Sequence, residues 1–232
     1  SEAAPVLDRP IKEPAYMAQI ARQNLCGCGA SERELDSAFD KIFEDPEVLN
    51  KSYIYDQYDA NVGLNSAKRP GMLGAAVMRV KQNGVKLAMA ADCNTRMNYV
   101  HPRIGAALAV ASAGRKVAMS GATPLAITDC LNYGNPQNPE VMWQFAQGCE
   151  GIKQACAALN TPVVSGNVSL YNETGGVSIQ PTPAIVCVGT NEGEIIPSDF
   201  CASGVSVYLA GDTKGVFAGS LYMKAVENRV AG

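Results

Sequence analysis

Between residues 73 and 191 the apolar positions of the chain change period several times. "LGAAVMRV" (73–80) and "VKLAMAAD" (85–92) are short apolar runs joined through Asn83-Gly84, which predicts two strands in a hairpin. Residues 102–113 are rich in small residues and begin with a proline, a helix with Pro102 in its first turn. "PLAITDCLN" (124–132) reads as a strand. From 138 to 159, Val141, Phe145, Cys149, Ile152, Cys156 and Leu159 fall on one helical face. Pro162 to Ser165 read as a buried strand running into Gly166, and "PTPAIVCVG" (181–189) as another. The order strand, strand, helix, strand, helix, strand, strand predicts an α/β layered domain over residues 51–190.

The flanks read differently. Residues 1–50 form a lead-in that is irregular or partly helical up to the glycine cluster "CGCGA". A helix follows from Ser31 to Leu49, with Ser31 and Glu34 as a capping box and Leu35, Phe39, Ile42 and Phe43 at helical spacing. "YIYDQYDANV" (53–62) precedes a turn at Pro70-Gly71. Residues 191–203 read as a polar linker. "GVSVYLAGD" (204–212) then predicts a strand and Ser220 to Asn228 a helix. Two elements cannot bury a core of their own, so 204–232 is expected to be the start of a second, truncated domain.

Composition narrows the function classes. With 232 residues, 47% hydrophobic and 18% charged, the chain is long enough for a packed core without staples. A net charge of -3 gives no electrostatic case for nucleic acid or an anionic membrane. No apolar run approaches the ~18 residues of a membrane span. Eight cysteines are many, but Cys149, Cys156 and Cys187 sit inside apolar patterns. Cys26-Gly27-Cys28 lacks a second pair at metal spacing, which leaves a loop or a metal site open. These features point to a reducing cytosol. The acceptor patterns Asn167-Val168-Ser169 and Asn172-Glu173-Thr174 are then coincidental for glycosylation.

With one histidine, a Ser-His-Asp triad or a histidine-rich metal site has no basis. His101, before Pro102, suits a local capping or solvent role as well as a chemical one. Neither a Walker-type phosphate loop nor a dinucleotide fingerprint occurs. What remains is polar residues following apolar runs: Asp92 with Asn94 and Arg96, Asp129 with Asn132, and Gly166, Asn167 and Ser169. Magnesium takes hard oxygen ligands, and glycine lets a backbone approach a phosphate or base closely. The same residue types favour turns for local hydrogen-bonding reasons. Turn chemistry and a magnesium-nucleotide site both fit.

"ITDCLNYGNP" (127–136), "GNVSLYNE" (166–173) and "PTP" (181–183), in this order, resemble the phosphoribosylformylglycinamidine synthase family, the large synthetase of purine biosynthesis, in its second half. The likeness runs from about residue 53 to 189. The resemblance implies a fold of the aminoimidazole-ribonucleotide-synthetase superfamily: a mixed sheet with helices on one face that pairs with a partner domain's sheet into a barrel. It implies an ATP-driven ligase in which the formamide oxygen of formylglycinamide ribonucleotide is phosphorylated and ammonia from glutamine displaces phosphate. Asp129 and Gly166 would contact ATP, Asn167 would hold Mg2+, and Ser169 would touch the ribonucleotide. Asp92, Asn94 and Arg96 of "DCNTR" match a "DGNGR"-like loop less closely.

The departures are specific. The family's "HNHPS"-type segment is absent, Ala60 and His101 replace a common histidine and a common acidic residue, and Ala218 replaces a usual glycine. The resemblance therefore implies a partial, composite site, inactive alone. Its implied partners are the first half of the synthetase, a glutaminase subunit or domain, and a possible second copy of this domain. An alternative is a structural half that binds nucleotide without catalysis. A selenophosphate synthetase or thiamine-monophosphate kinase relative is disfavoured by the specificity of "ITDCLNYGNP".

Overall fold

A computed structural model describes residues 7–23, 31–68, 73–200, 202–212 and 217–231. In chain order the elements are α1 (Ala15–Ile20), α2 (Glu32–Phe43), α3 (Ser52–Tyr55), a 3-10 turn (Val62–Leu64), β1 (Ala76–Arg79), β2 (Lys86–Asp92), α4 (Thr95–Val100), α5 (Pro102–Met119), β3 (Thr123–Asn132), α6 (Pro139–Leu159), β4 (Val163–Ser169), β5 (Glu173–Thr174), β6 (Val177–Ser178), β7 (Thr182–Asn191) and α7 (Leu221–Ala225). The layered α/β expectation for the centre of the chain holds. The turns at Pro70-Gly71 and Cys26-Cys28 lie outside the described residues.

The main sheet has the order β1-β2-β7-β3-β4. Every neighbouring pair is antiparallel except β3 and β4, which run parallel with α6 as their crossover. The β1-β2 hairpin closes where Asn83-Gly84 predicts. Val80 N–H donates to Val85 O at 2.7 Å, and Gly84 adopts φ 75°, which suits glycine.

β7 explains why the sheet is covered on one side. Its residues alternate strictly: Pro183, Ile185, Cys187, Gly189 and Asn191 are buried, and the residues between them are half-buried. The buried set faces α5, whose inner side carries Gly105, Ala106, Ala109, Val110, Ala113, Gly114 and Val117. Small residues there let the helix backbone come close to the sheet. Ile127, Ile185, Val110 and Val117 are fully buried, each contributing about 1.5–3 kcal/mol of apolar transfer.

α6 lies against α5 rather than spreading over the sheet. Gly151 makes this possible, because a Cβ at that position would lie 2.9 Å from the carbonyl carbon of Arg103 and closer still to its oxygen. Asn138 caps α6 by accepting from Glu140 N at 2.9 Å. Phe145 meets the buried ring of Tyr133 edge-on at 5.2 Å. The lead-in is pinned to this layer through α1. Tyr16 stacks on Tyr99 at 4.3 Å, donates to Tyr99 O, and accepts from Gln144 Nε2. Burial pushes the Tyr16 phenol up to about 12.

Several expectations require correction. Pro162 to Ser165 are exposed rather than buried, because β4 is an edge strand with no strand beyond it among the described residues; Val164 is 69% exposed. Residues 204–210 form no strand and are exposed, with no neighbouring strand to complete a ladder. The capping box at Ser31 and Glu34 is present, but α2 stops at Phe43 instead of Leu49. Pro46 disfavours helical backbone at Asp45. The outer stripe Leu35, Phe39 and Phe43 lies open to solvent, and Leu159 is also exposed. His101 sits exposed at the N-cap position of α5 without a side-chain cap bond, which leaves the solvent role expected as one alternative. The helix near the C-terminus is α7 alone, capped by Ser220.

Replacing Gly151 by Ala forces α5 and α6 apart. We expect a loss of about 1–3 kcal/mol in urea-unfolding stability, with the slope of the transition unchanged.

Candidate functional site

Strand register decides where the polar residues point. Asp129 of β3 pairs with Ile185 of β7 on one side and Gly166 of β4 on the other. Residues directly opposite in a ladder share a face. Ile185 is fully buried under the helices, so Asp129 and Gly166 belong to the helix-covered face. One residue on, Cys130 pairs with Asn167 and Ala184; two further on, Asn132 pairs with Ser169 and Thr182. Asn167 and Ser169 therefore face the uncovered side. The four residues are neighbours along β4 and β3, but the sheet divides them into two pairs.

The Asp129–Gly166 pair is tightly coupled. A Cβ on Gly166 would lie 2.9 Å from Asp129 Cγ and closer to Oδ1, so the missing side chain is the space the carboxylate occupies. Asp129 makes no hydrogen bond or ion pair among the described residues. Burial without a partner pushes its pKa up. Its charge also contributes to raising the Tyr133, Cys149 and Cys156 groups behind it, where burial is the main cause.

Ser169 is held at the strand end by Asn172. The Asn172 Nδ2 donates to Tyr133 O at 3.0 Å, to Ser169 O at 2.9 Å and to Ser169 Oγ at 3.2 Å. Sequence reading saw Asn172 only as a glycosylation pattern; nothing in "LYNE" marks its side chain as a clamp. Between them, Tyr171 adopts φ 63°. For a residue with a Cβ this conformation costs roughly 1–2 kcal/mol.

Asp92, Asn94 and Arg96 are each engaged in holding the fold. Asp92 accepts from Ser112 Oγ and Lys116 Nζ, both at 2.6 Å. Asn94 caps α4 by accepting from Met97 N at 3.0 Å. Arg96 grips Glu47 with two bonds, 2.6 and 2.9 Å. Lys224 of α7 joins the same cluster through Glu47 at 2.7 Å and Asp45 at 3.0 Å. The Arg96 bond lowers the Glu47 carboxyl. The Glu47 backbone N–H, followed by Lys224, lowers Asp45. Asp92 and Asp129 flank Ile185 two strands apart, ~10 Å by strand spacing, and only Asp129 is unpartnered.

Among the described residues no three His, Cys, Asp or Glu side chains cluster to hold a metal. Asn167 offers one exposed carboxamide oxygen, flanked in register by Cys130. That fits a magnesium ion taking most of its ligands from phosphate and water, and not an all-protein cage. Cavities among the described residues lie elsewhere, including an apolar one of 360 Å3 between α5 and α6 beside Leu108 and Leu159 and a polar one of 440 Å3 at Tyr55, Asp56, Tyr58 and Asp59.

The structure is an α/β domain with a one-sided mixed sheet and polar residues divided across its edge strand. Residues 74–191 match the family described as AIR synthase related protein, N-terminal domain, and the chain belongs to that family. Phosphoribosylformylglycinamidine synthase subunit PurL of Campylobacter hominis is 75% identical over the whole chain, which covers 32% of that protein. The chain thus spans about a third of the length of such relatives. PurLQS from Thermotoga maritima is similar with 36% identity and a TM-score of 0.56, over 62% of this chain and 24% of that one. PurL of the same organism complexed with ATP gives 36% and 0.52 over 61% and 23%; complexed with FGAR it gives 36% and 0.51 over the same shares.

Two measurements test this geometry. Gly166→Ala destabilises the chain by about 1–3 kcal/mol through the clash with Asp129, and the cost shrinks when Asp129→Ala is also present. A double-mutant cycle by urea unfolding reads the coupling. The lowered carboxyls of Asp45 and Glu47 add stability that is present above the ordinary carboxylate range of about 4 and lost as pH falls through their folded pKa values. Glu47→Gln removes part of that dependence, so its unfolding midpoint falls less than the unaltered chain's between neutral pH and pH ~3.

Proposed function

We propose that this chain is a segment of an ATP-dependent ligase that converts formylglycinamide ribonucleotide, with ammonia from glutamine, to formylglycinamidine ribonucleotide in purine biosynthesis. The observation that carries this reading is the unpartnered Asp129 carboxylate, kept clear by Gly166, with Asn167 and Ser169 following on the same strand. The relatives' name and the complexes of a similar protein with ATP and with FGAR support it.

In this reading, Asp129 accepts hydrogen bonds from the nucleotide, and its partial burial keeps that acceptor from being screened by water. Gly166 leaves the edge of β4 clear for the nucleotide to come close. Asn167 offers an oxygen to Mg2+, which when bound offsets the phosphate charge. Ser169, held by Asn172, donates to the ribonucleotide. Phosphorylation of the formamide oxygen makes it a leaving group, and ammonia displaces it as phosphate. The residues in hand orient and bind; none is placed as the general base.

The uncovered sheet face would pack against a second domain of the same type, closing a barrel, with residues 51–190 as one domain, 191–203 as a linker and 204–232 as the start of another. The first part of the synthetase and a glutaminase are the partners, and the isolated domain is open to pairing with itself. No helix among the described residues is long and apolar enough to cross a membrane, in keeping with a cytosolic setting.

Titrating Mg-ATP into the 15N-labelled chain, beside an Asp129→Ala, Asn167→Ala double variant, tests the assignment. Millimolar-range shifts centred on β3 and β4, lost in the variant, are the expected result. Equal shifts in both proteins would place the nucleotide elsewhere.

A further inference from the structure

Tyr171 stands out among the backbone conformations near the candidate site. At φ 63° it shares the left-handed region with Leu64, Asn160 and Asn228. Asparagine tolerates that region and glycine prefers it, so a turn at this point is met more cheaply by either. Leu64 sits in the 3-10 turn Val62–Leu64, whereas Tyr171 follows Ser169 by two residues.

The strain is imposed from both sides. Tyr171 N–H donates to Gly134 O at 2.9 Å, and Asn172 N–H donates to Tyr133 O at 3.2 Å. The Asn172 side chain adds its three bonds to Tyr133 and Ser169. Ile179 N–H donates to Asn172 O at 3.0 Å. Nothing repays the strain through the side chain itself. The residue is 52% exposed, and among the described residues its ring stacks on no other ring and its hydroxyl makes no hydrogen bond. Tyr133, which follows β3 and accepts from Asn172 through its backbone oxygen, shows the contrast: its ring is buried against Phe145. A backbone over-determined into a costly conformation that holds an idle, exposed phenol beside a candidate binding serine is the pattern found at ligand clamps.

We propose that Tyr171 is a further substrate-contacting residue, its phenol donating a hydrogen bond to an oxygen of the ribonucleotide that Ser169 also holds. The inference rests on the proposed function, because Ser169 is the link to that ligand. Cα atoms two residues apart lie within ~7 Å, close enough for a serine and a tyrosine to hold one phosphorylated sugar between them. The turn fixed by Asn172 sets both donors before the ligand arrives, so little ordering is left to be lost on binding.

Formylglycinamide ribonucleotide is titrated into the 15N-labelled chain and into three variants, with an unfolding midpoint recorded for each. Tyr171→Phe keeps the ring and the backbone demand and loses only the donor; affinity should fall by about tenfold with the midpoint unchanged. Tyr171→Asn replaces the phenol by a much shorter amide that does not reach the same oxygen, and it suits the left-handed backbone, so affinity should fall while the midpoint rises. Ser169→Ala gauges the underlying reading. If Ser169→Ala weakens binding but both Tyr171 variants bind like the unaltered chain, Tyr171 is a turn residue only and the inference fails while the reading stands. If the Phe variant binds normally and only the Asn variant weakens, the donor assignment is overturned. Absence of any shift in the unaltered chain overturns the reading that this segment holds the ribonucleotide through Ser169, and the inference with it.

Discussion

The alternation along β7 is the constraint on which the rest of this structure depends. That strand pairs with β2 on one side and β3 on the other, and every second residue from Pro183 to Asn191 is buried. A sheet whose central strand buries one face must be covered on that face. α5 meets the requirement with glycine, alanine and valine, and α6 is then carried on α5 through the close approach at Gly151. Among the described residues the opposite face receives no helix. Layering, the exposure of β4 and the direction of each polar side chain follow from that asymmetry.

One consequence is chemical. A glycine followed by a carboxamide looks, in sequence, like one cluster. In a strand, neighbours point to opposite sides, so Gly166 and Asn167 belong to different surfaces. The covered side gives Asp129 a partly dry setting without a counter-charge, while the open side leaves Asn167 and Ser169 in reach of something bulky. An edge strand is the one place where both surfaces are approached by the same ligand. The cluster that ties Asp45 and Glu47 to Arg96 and Lys224 does different work: it fastens the turn after α2 and the short helix α7 to α4.

Most of the central fold was legible. Asn83-Gly84 marked the hairpin, the spacing from Val141 to Cys156 marked α6, and Ser31 with Glu34 marked the start of α2. These signals are local, and the structure keeps them. What was illegible depends on distant neighbours. Val163 and Val164 are as apolar as a core strand, and only their position at the end of the strand order exposes them. Residues 204–210 alternate suitably for a strand but lack a ladder to join. Asp92 and Asp129 look alike in sequence; Lys116, a turn of helix beyond Ser112 on α5, makes one an ion pair and leaves the other alone. Register and layer order had to be known before the site could be divided correctly.

The strand order also sets a schedule for assembly. β7 is the last strand of the domain in sequence, yet it lies in the middle of the sheet. The β1-β2 hairpin and the β3-α6-β4 unit each close over short stretches of chain, and α5 touches both, but their strands stay unpaired with each other until residues 182–191 arrive. Pairings that wait for distant sequence form slowly, and unpaired strand edges in the meantime are sticky. During synthesis the two halves of this sheet therefore present facing edges with an empty lane between them, and the sheet becomes continuous only when its keystone strand is inserted.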